Sequence, residues 1–118
     1  MQITDTPIAD LKIISPDVFA DKRGFFTELY NEERYRSLGI KNKFVQDNLS
    51  KSCYGVVRGL HFQRGSSAQA KLVQVIMGKV WDVAVDLRPG SATYGQWYGV
   101  ELSGDNHLQY LIPRGFAH

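Results

Sequence analysis

His61 lies within the run Val57-Arg58-Gly59-Leu60-His61-Phe62-Gln63, and Lys71 follows shortly after. Imidazole is the side chain whose ordinary pKa lies nearest neutrality, so it can take and return a proton at working pH. Arg58 and Lys71 add fixed positive charge close by in the chain. A base beside cations suits an anionic substrate from which a proton is to be removed. In an extended conformation Val57, Gly59, His61 and Gln63 share one face, and Arg58, Leu60 and Phe62 share the other. Gly59 then leaves the wall open beside His61. The same run also fits a buried strand with one hydrogen-bonded histidine. One imidazole and two cations do not separate these readings.

Such a run needs flanking elements to position it. Residues 11–14 form a short apolar strand stopped by Ser15-Pro16, and Asp21-Lys22-Arg23-Gly24 reads as a turn. Residues 25–30 form the next strand, with Phe26 and Glu28 on one face. Arg23 and Glu28 are read from spacing as an exposed pair of little energetic value. Residues 31–39 carry helix signals: Asn31 as N-cap, Glu32 and Glu33 in the first turn, and Gly39 as the stop. Tyr35 and Leu38 give this helix a narrow apolar edge. Residues 44–49 return to strand character. Gln46 and Asn48 point the same way there, lining a pocket or facing water from an edge.

From Lys71 onward the signal is all-β. Strands are expected at 71–77, 80–87, 93–102 and 108–112, separated by turns at Gly78-Lys79, Arg88-Pro89-Gly90-Ser91 and Ser103-Gly104-Asp105-Asn106. In the second of these, Trp81, Val83, Val85 and Leu87 form an apolar face opposite Asp82, Ala84 and Asp86. Asp82 and Asp86 share a strand face from which a carboxylate can reach His61, but the stronger reading is a solvated or structural role. Strands of this length and spacing predict a β-sandwich or jelly-roll barrel, in a single domain over 1–118.

The balance of 43% hydrophobic and 22% charged residues is that of a folded, water-soluble chain. A net charge of +2, dispersed along the sequence, gives no basic patch for nucleic acid. The single cysteine, Cys53, precludes an internal disulfide and fits a reducing compartment. It reads as a small strand-end residue rather than a catalytic thiol. No signal peptide and no bilayer-length apolar run is present, so a cytoplasmic protein without membrane contact is expected.

Two spacings are similar to the paired motifs of the cupin superfamily: Gly55 with His61, and Pro113-x-Gly115-x-x-His118. Metal-binding cupins continue the first motif as His-x-His and then Glu. Here Gln63 takes the second position and no Glu follows before Glu101, so no metal site is expected.

A closer resemblance rests on DKRGFFTELY, FVQDNLS, GVVRGLHFQ, AKLVQVIMGKVWDVAVDLRPGSATYGQWYGVELS and IPRGFAH, in that order. The chain resembles the dTDP-4-dehydrorhamnose 3,5-epimerase family of nucleotide-sugar enzymes over nearly its whole length. The resemblance implies a cupin-like jelly roll, a homodimer that exchanges N-terminal strands, and a dTDP-sugar substrate handled without a cofactor. It further implies His61 as catalytic base and Lys71 as stabiliser of the enolate. Arg23, Glu28, Gln46, Asn48 and Arg58 match positions that hold the nucleotide diphosphate and sugar, some across the dimer interface. His118 matches a further substrate-contacting histidine. The family's acid tyrosine and its histidine-orienting aspartate lie beyond the Gly-Phe-Ala-His phrase. The chain therefore matches the N-terminal part of a family member, a C-terminally truncated domain. A remnant that only binds nucleotide sugar is the alternative to an epimerase.

Overall fold

Nine strands, one short α-helix and one turn of 3-10 helix (Gly65–Ser67) make up the regular structure, in a computed structural model that describes residues 1–118. The strands are β1 (Gln2–Asp5), β2 (Lys12–Ser15), β3 (Val18–Asp21), β4 (Gly24–Thr27), β5 (Lys71–Gln74), β6 (Lys79–Asp86), β7 (Trp97–Ser103), β8 (Gln109–Ile112) and β9 (Phe116–Ala117). The helix α1 covers Glu32–Ser37. One sheet has the order β1-β2-β8-β5 and the other β7-β6-β9, while β3 and β4 pair only with each other. Every pairing is antiparallel.

Strand alternation divides the four-stranded sheet into two unlike faces. On the inner face Ile13 and Val73 flank Tyr110, and Lys71 stands opposite Ile112. This face packs on Ala84, Val100, Leu102 and Phe116 of the three-stranded sheet, with Ile8 and Leu11 closing the core. The outer face carries Ile14, Leu111 and Leu72, covered by Tyr35 and Ile40. Two sheets facing across one core, with a second layer on the back of one of them, are what the predicted sandwich requires.

The helix forms where its caps lie. Asn31 Oδ1 accepts the Arg34 N–H at 3.1 Å, and Gly39 takes the positive φ of 87° that ends the helix. Tyr35 is buried, but Leu38 is 42% exposed, so the expected two-residue apolar edge is one residue wide.

Four expectations are corrected. Residues 44–49 and 57–63 are not strands: the whole of 41–64 lacks regular structure, with Val45, Leu49 and Val57 each more than 80% exposed. Alternation records how well a segment would pack on a pleated surface, and a strand also needs a partner edge for its backbone groups. The face assignment of β6 is reversed. Ala84 and Asp86 point into the core at 0% exposure, while Trp81 is 64% exposed and lies over Gly99. Residues 93–96 turn rather than extend, because Thr93 and Ser91 bind Asp86 and Gly95 N–H bonds its carbonyl at 2.7 Å. Arg23 and Glu28 do not pair: Arg23 binds Asp21 at 2.6 Å and Glu28 faces Arg34 at 3.4 Å.

Asp86 is a buried charge made tolerable by its partners. Its carboxylate accepts from Arg88 Nη2 at 2.9 Å, Ser91 at 2.6 Å and Thr93 at 2.6 Å. These bonds, the guanidinium's first, hold its pKa far below the usual carboxylate range. Arg88 also reaches Asp10 at 2.9 Å and lies over the Phe116 ring, tying the N-terminal segment to β9. Asp86→Asn leaves the guanidinium without its buried partner, so urea unfolding at pH 7 should show a loss of about 3 kcal/mol. A carboxylate with a depressed folded pKa contributes stability above its unfolded value, which is lost as pH falls towards the folded one. The gap between wild type and variant should therefore narrow below about pH 4.

Candidate active site

The pairing of β9 with β6 sets Ala117 opposite Val85 and Phe116 opposite Asp86. One step further, His118 comes opposite Ala84 and shares the inward row with Asp82. The imidazole Nδ1 lies 3.0 Å from Asp82 Oδ1 and 3.4 Å from Oδ2. A carboxylate at Nδ1 holds the proton there and leaves Nε2 as the free ring nitrogen. Asp82, read from sequence as solvated or structural, thus orients a histidine, though His118 and not His61.

His61 joins this pair through the backbone. Its N–H donates to the His118 carbonyl at 2.8 Å, and the His118 N–H donates back at 3.1 Å. Residues that exchange both bonds form an antiparallel pair with side chains on one face. The predicted strand shrinks to this single rung, yet the rung sets His61 beside His118. Gly59 permits it: at φ 115° it takes a conformation that side-chain-bearing residues avoid, and a Cβ there would sit 3.0 Å from the His118 carbonyl oxygen. The space that the glycine leaves is filled by backbone, not held open as the sequence suggested.

Lys71 stands half-buried on the inner face of β5. The acidic residues of β6 and β7 are taken by others: Asp82 by His118, Asp86 by Arg88 and Glu101 by Lys79. Lys71 therefore carries its charge free on the inner face. Tyr110, also inward, is no acid candidate. Burial pushes its phenol pKa up, and its proton is given to the Tyr98 carbonyl at 2.9 Å.

The other sequence-chosen residues stand apart from this group. Arg23 lies in the turn of the β3–β4 hairpin with its side chain 84% exposed. Glu28 follows β4, beside Leu29, whose carbonyl is bonded by Gln109 from the outer face of the four-stranded sheet. That is the face opposite Lys71. Gln46 and Asn48 do point the same way, with Gln46 Nε2 3.3 Å from Asn48 Oδ1, on an exposed segment. Arg58 is exposed and bonds Ser52 Oγ at 2.9 Å and the Lys51 carbonyl at 3.1 Å. Sequence reasoning did not single out Gln109 and gave Tyr35 only a packing role.

Two antiparallel sheets packed over one core define a cupin-like jelly roll. A family model described as dTDP-4-dehydrorhamnose 3,5-epimerase matches residues 5–118. The dTDP-4-dehydrorhamnose 3,5-epimerase of Salmonella typhimurium is 56% identical over all of this chain and 65% of its own length. The solved enzyme of that description from Elizabethkingia anophelis superposes with a TM-score of 0.92 at 58% identity, over 100% of this chain and 65% of that one. A Legionella pneumophila dTDP-6-deoxy-D-glucose-3,5-epimerase, solved with dTDP-4-keto-L-rhamnose, gives a TM-score of 0.94 at 55% identity. It is covered over 62% of its length by 99% of this chain. The chain belongs to the dTDP-4-dehydrorhamnose 3,5-epimerase family. It spans 65% of the Salmonella relative's length.

Proposed function

We propose that the chain serves the epimerisation of a dTDP-4-keto-6-deoxyhexose at C3, C5 or both, in deoxysugar biosynthesis. The observation that carries this reading is the single rung joining His61 to the Asp82-oriented His118, on a barrel whose inner face bears an unpaired Lys71. The substrate's C4 ketone acidifies the protons on either side, so no cofactor is called for. His61 acts as general base, and Lys71 meets the enolate oxygen that forms. His118, with its tautomer held by Asp82, presents Nε2 to the sugar. Arg23 and Arg58 supply guanidinium groups for the diphosphate, and Glu28, Gln46 and Asn48 accept from or donate to nucleotide and sugar. The exposed, unpaired thiol of Cys53 suits a reducing, intracellular setting.

A site with Glu28 on the far side of the sheet from Lys71, and Arg23 on a separate hairpin turn, is completed by a second copy. The β3–β4 hairpin favours this: it pairs with no other strand of its own chain, and Phe19 and Phe26 on it are 62% and 68% exposed. Sedimentation should give a dimer; a stable, folded monomer would contradict strand exchange.

A second reading, binding of dTDP-sugar without turnover, is favoured by the His61 imidazole, which hydrogen-bonds no carboxylate within the chain. Incubation with dTDP-4-keto-6-deoxyglucose, followed by NMR of the sugar, separates the two. New stereochemistry at C3 or C5 supports the epimerase. Unchanged sugar with a folded chain that binds dTDP supports the binder.

A further inference from the structure

An antiparallel sheet with one face in water alternates apolar residues towards the core with polar ones away from it. The β7-β6-β9 sheet departs from that rule. Asp82, Ala84 and Asp86 of β6 point inward, and the row pointing away from the core is Trp81, Val83 and Val85. Across the register, Trp97 stands opposite Val85, Gly99 opposite Val83 and Glu101 opposite Trp81, so all of these share the outer face. The back of the four-stranded sheet has Tyr35 and Ile40 laid over it. No such layer covers this one: Trp81 and Trp97 are 64% and 62% exposed.

These are the chain's two tryptophans. Trp81 leans across the neighbouring strand, where a Cβ on Gly99 would collide with its six-membered ring. The glycine thus seats an indole against the sheet and leaves its outer side open. The charges that β6 and β7 carry on this face, Lys79 and Glu101 at one end, lie 3.9 Å apart and offset each other. Two copies can therefore meet here without like charges facing one another. Aromatic side chains in a charge-poor patch are what the centre of a protein interface is made of.

The placement of the two indoles fits a second copy. Trp81 and Trp97 stand two residues to either side of the Val83–Gly99 pair, on neighbouring strands. A two-fold axis running across the strands at that pair exchanges the two positions, as an isologous contact requires, and sets each Trp81 against the partner's Trp97. The exposed indoles offer roughly 150 Å² each. Together that is more than a third of the about 800 Å² that a stable dimer buries per partner.

We propose that the outer face of the β7-β6-β9 sheet is an isologous interface between two copies of this chain, centred on Trp81, Val83 and Trp97. It is separate from the β3–β4 hairpin and independent of the dTDP-sugar reading. Because both tryptophans lie on it, their fluorescence reports this face alone. The test follows sedimentation and iodide quenching over one dilution series, with thermal melts to establish folding. The wild type should sediment as a dimer whose tryptophans iodide quenches weakly. Trp97→Lys should raise the dimer dissociation constant about 100-fold or more, since a central loss enters a symmetric contact twice, and should open Trp81 to iodide. Phe26→Ser, on the hairpin, should leave both tryptophans shielded at high concentration.

Should Trp97→Lys fail to fold, Val83→Lys carries the test by bringing two like charges together on the axis. A dimer equally tight in these variants, with wild-type tryptophans open to iodide, is held by the hairpin alone and overturns the interface. A folded wild type that stays monomeric at high concentration overturns it as well and gives the face to another occupant.

Discussion

In heavy water with dTDP-4-keto-6-deoxyglucose, His61→Ala should lose deuterium uptake into the sugar by about 100- to 10,000-fold, the usual contribution of a positioned general base. Binding of dTDP should change little, because the proposed role of the imidazole is at the sugar carbons and not at the nucleotide. The rung to His118 uses only the His61 backbone, so it survives the substitution. The variant should therefore fold with β9 and Asp82 in place, and the loss can be assigned to the missing base. If nucleotide binding fell together with exchange, His61 would be a structural residue of the 41–64 segment and the base would have to be sought elsewhere.

Lys71→Met should reduce the same exchange by about 100- to 1,000-fold, the cost of losing one preorganised electrostatic partner of a developing oxyanion. Methionine preserves the length and apolar stem of lysine, and the neighbours Ile112 and Val73 accept it without a void. In the proposed mechanism the ammonium also meets the ground-state ketone, so affinity for the keto sugar should fall as well. Affinity for dTDP alone should fall less. An unchanged exchange rate would place Lys71 outside the chemistry.

Local signals in the sequence matched the structure where a local cause decides the outcome. Asn31 and Gly39 marked the ends of α1 to within a residue. Turn residues at Gly78, Pro89-Gly90 and Gly104 separated strands that do form, and their number and spacing pointed to two packed sheets. Positions 44–49 and 57–63 have the composition of strands but not the partners, and partner edges are a property of the whole topology. The β6 faces were inverted for a related reason. Asp86 is drawn inside by Arg88, Ser91 and Thr93, all C-terminal to its own strand, and a period-2 pattern cannot register that.

The candidate site shows the same division. His61, Lys71 and His118 were chosen by residue type and resemblance, and the structure sets His61 and His118 on one rung. Asp82 was passed over because its link to His118 spans 36 residues and depends on β9 folding back along β6. Gln109 carried no signal at all: an uncharged amide in an apolar strand reads as an edge residue until Tyr35, Leu29 and Gln74 are seen to surround it.

Solvent exchange into the sugar tests the central claim most directly. The wild-type chain, shown to be folded, is incubated with dTDP-4-keto-6-deoxyglucose in heavy water, and C3 and C5 are followed by NMR. The account predicts deuterium at one or both carbons, with uptake abolished in His61→Ala. No deuterium at either carbon, from a folded chain that binds dTDP, would contradict proton abstraction by His61 and leave a nucleotide-sugar binder in its place.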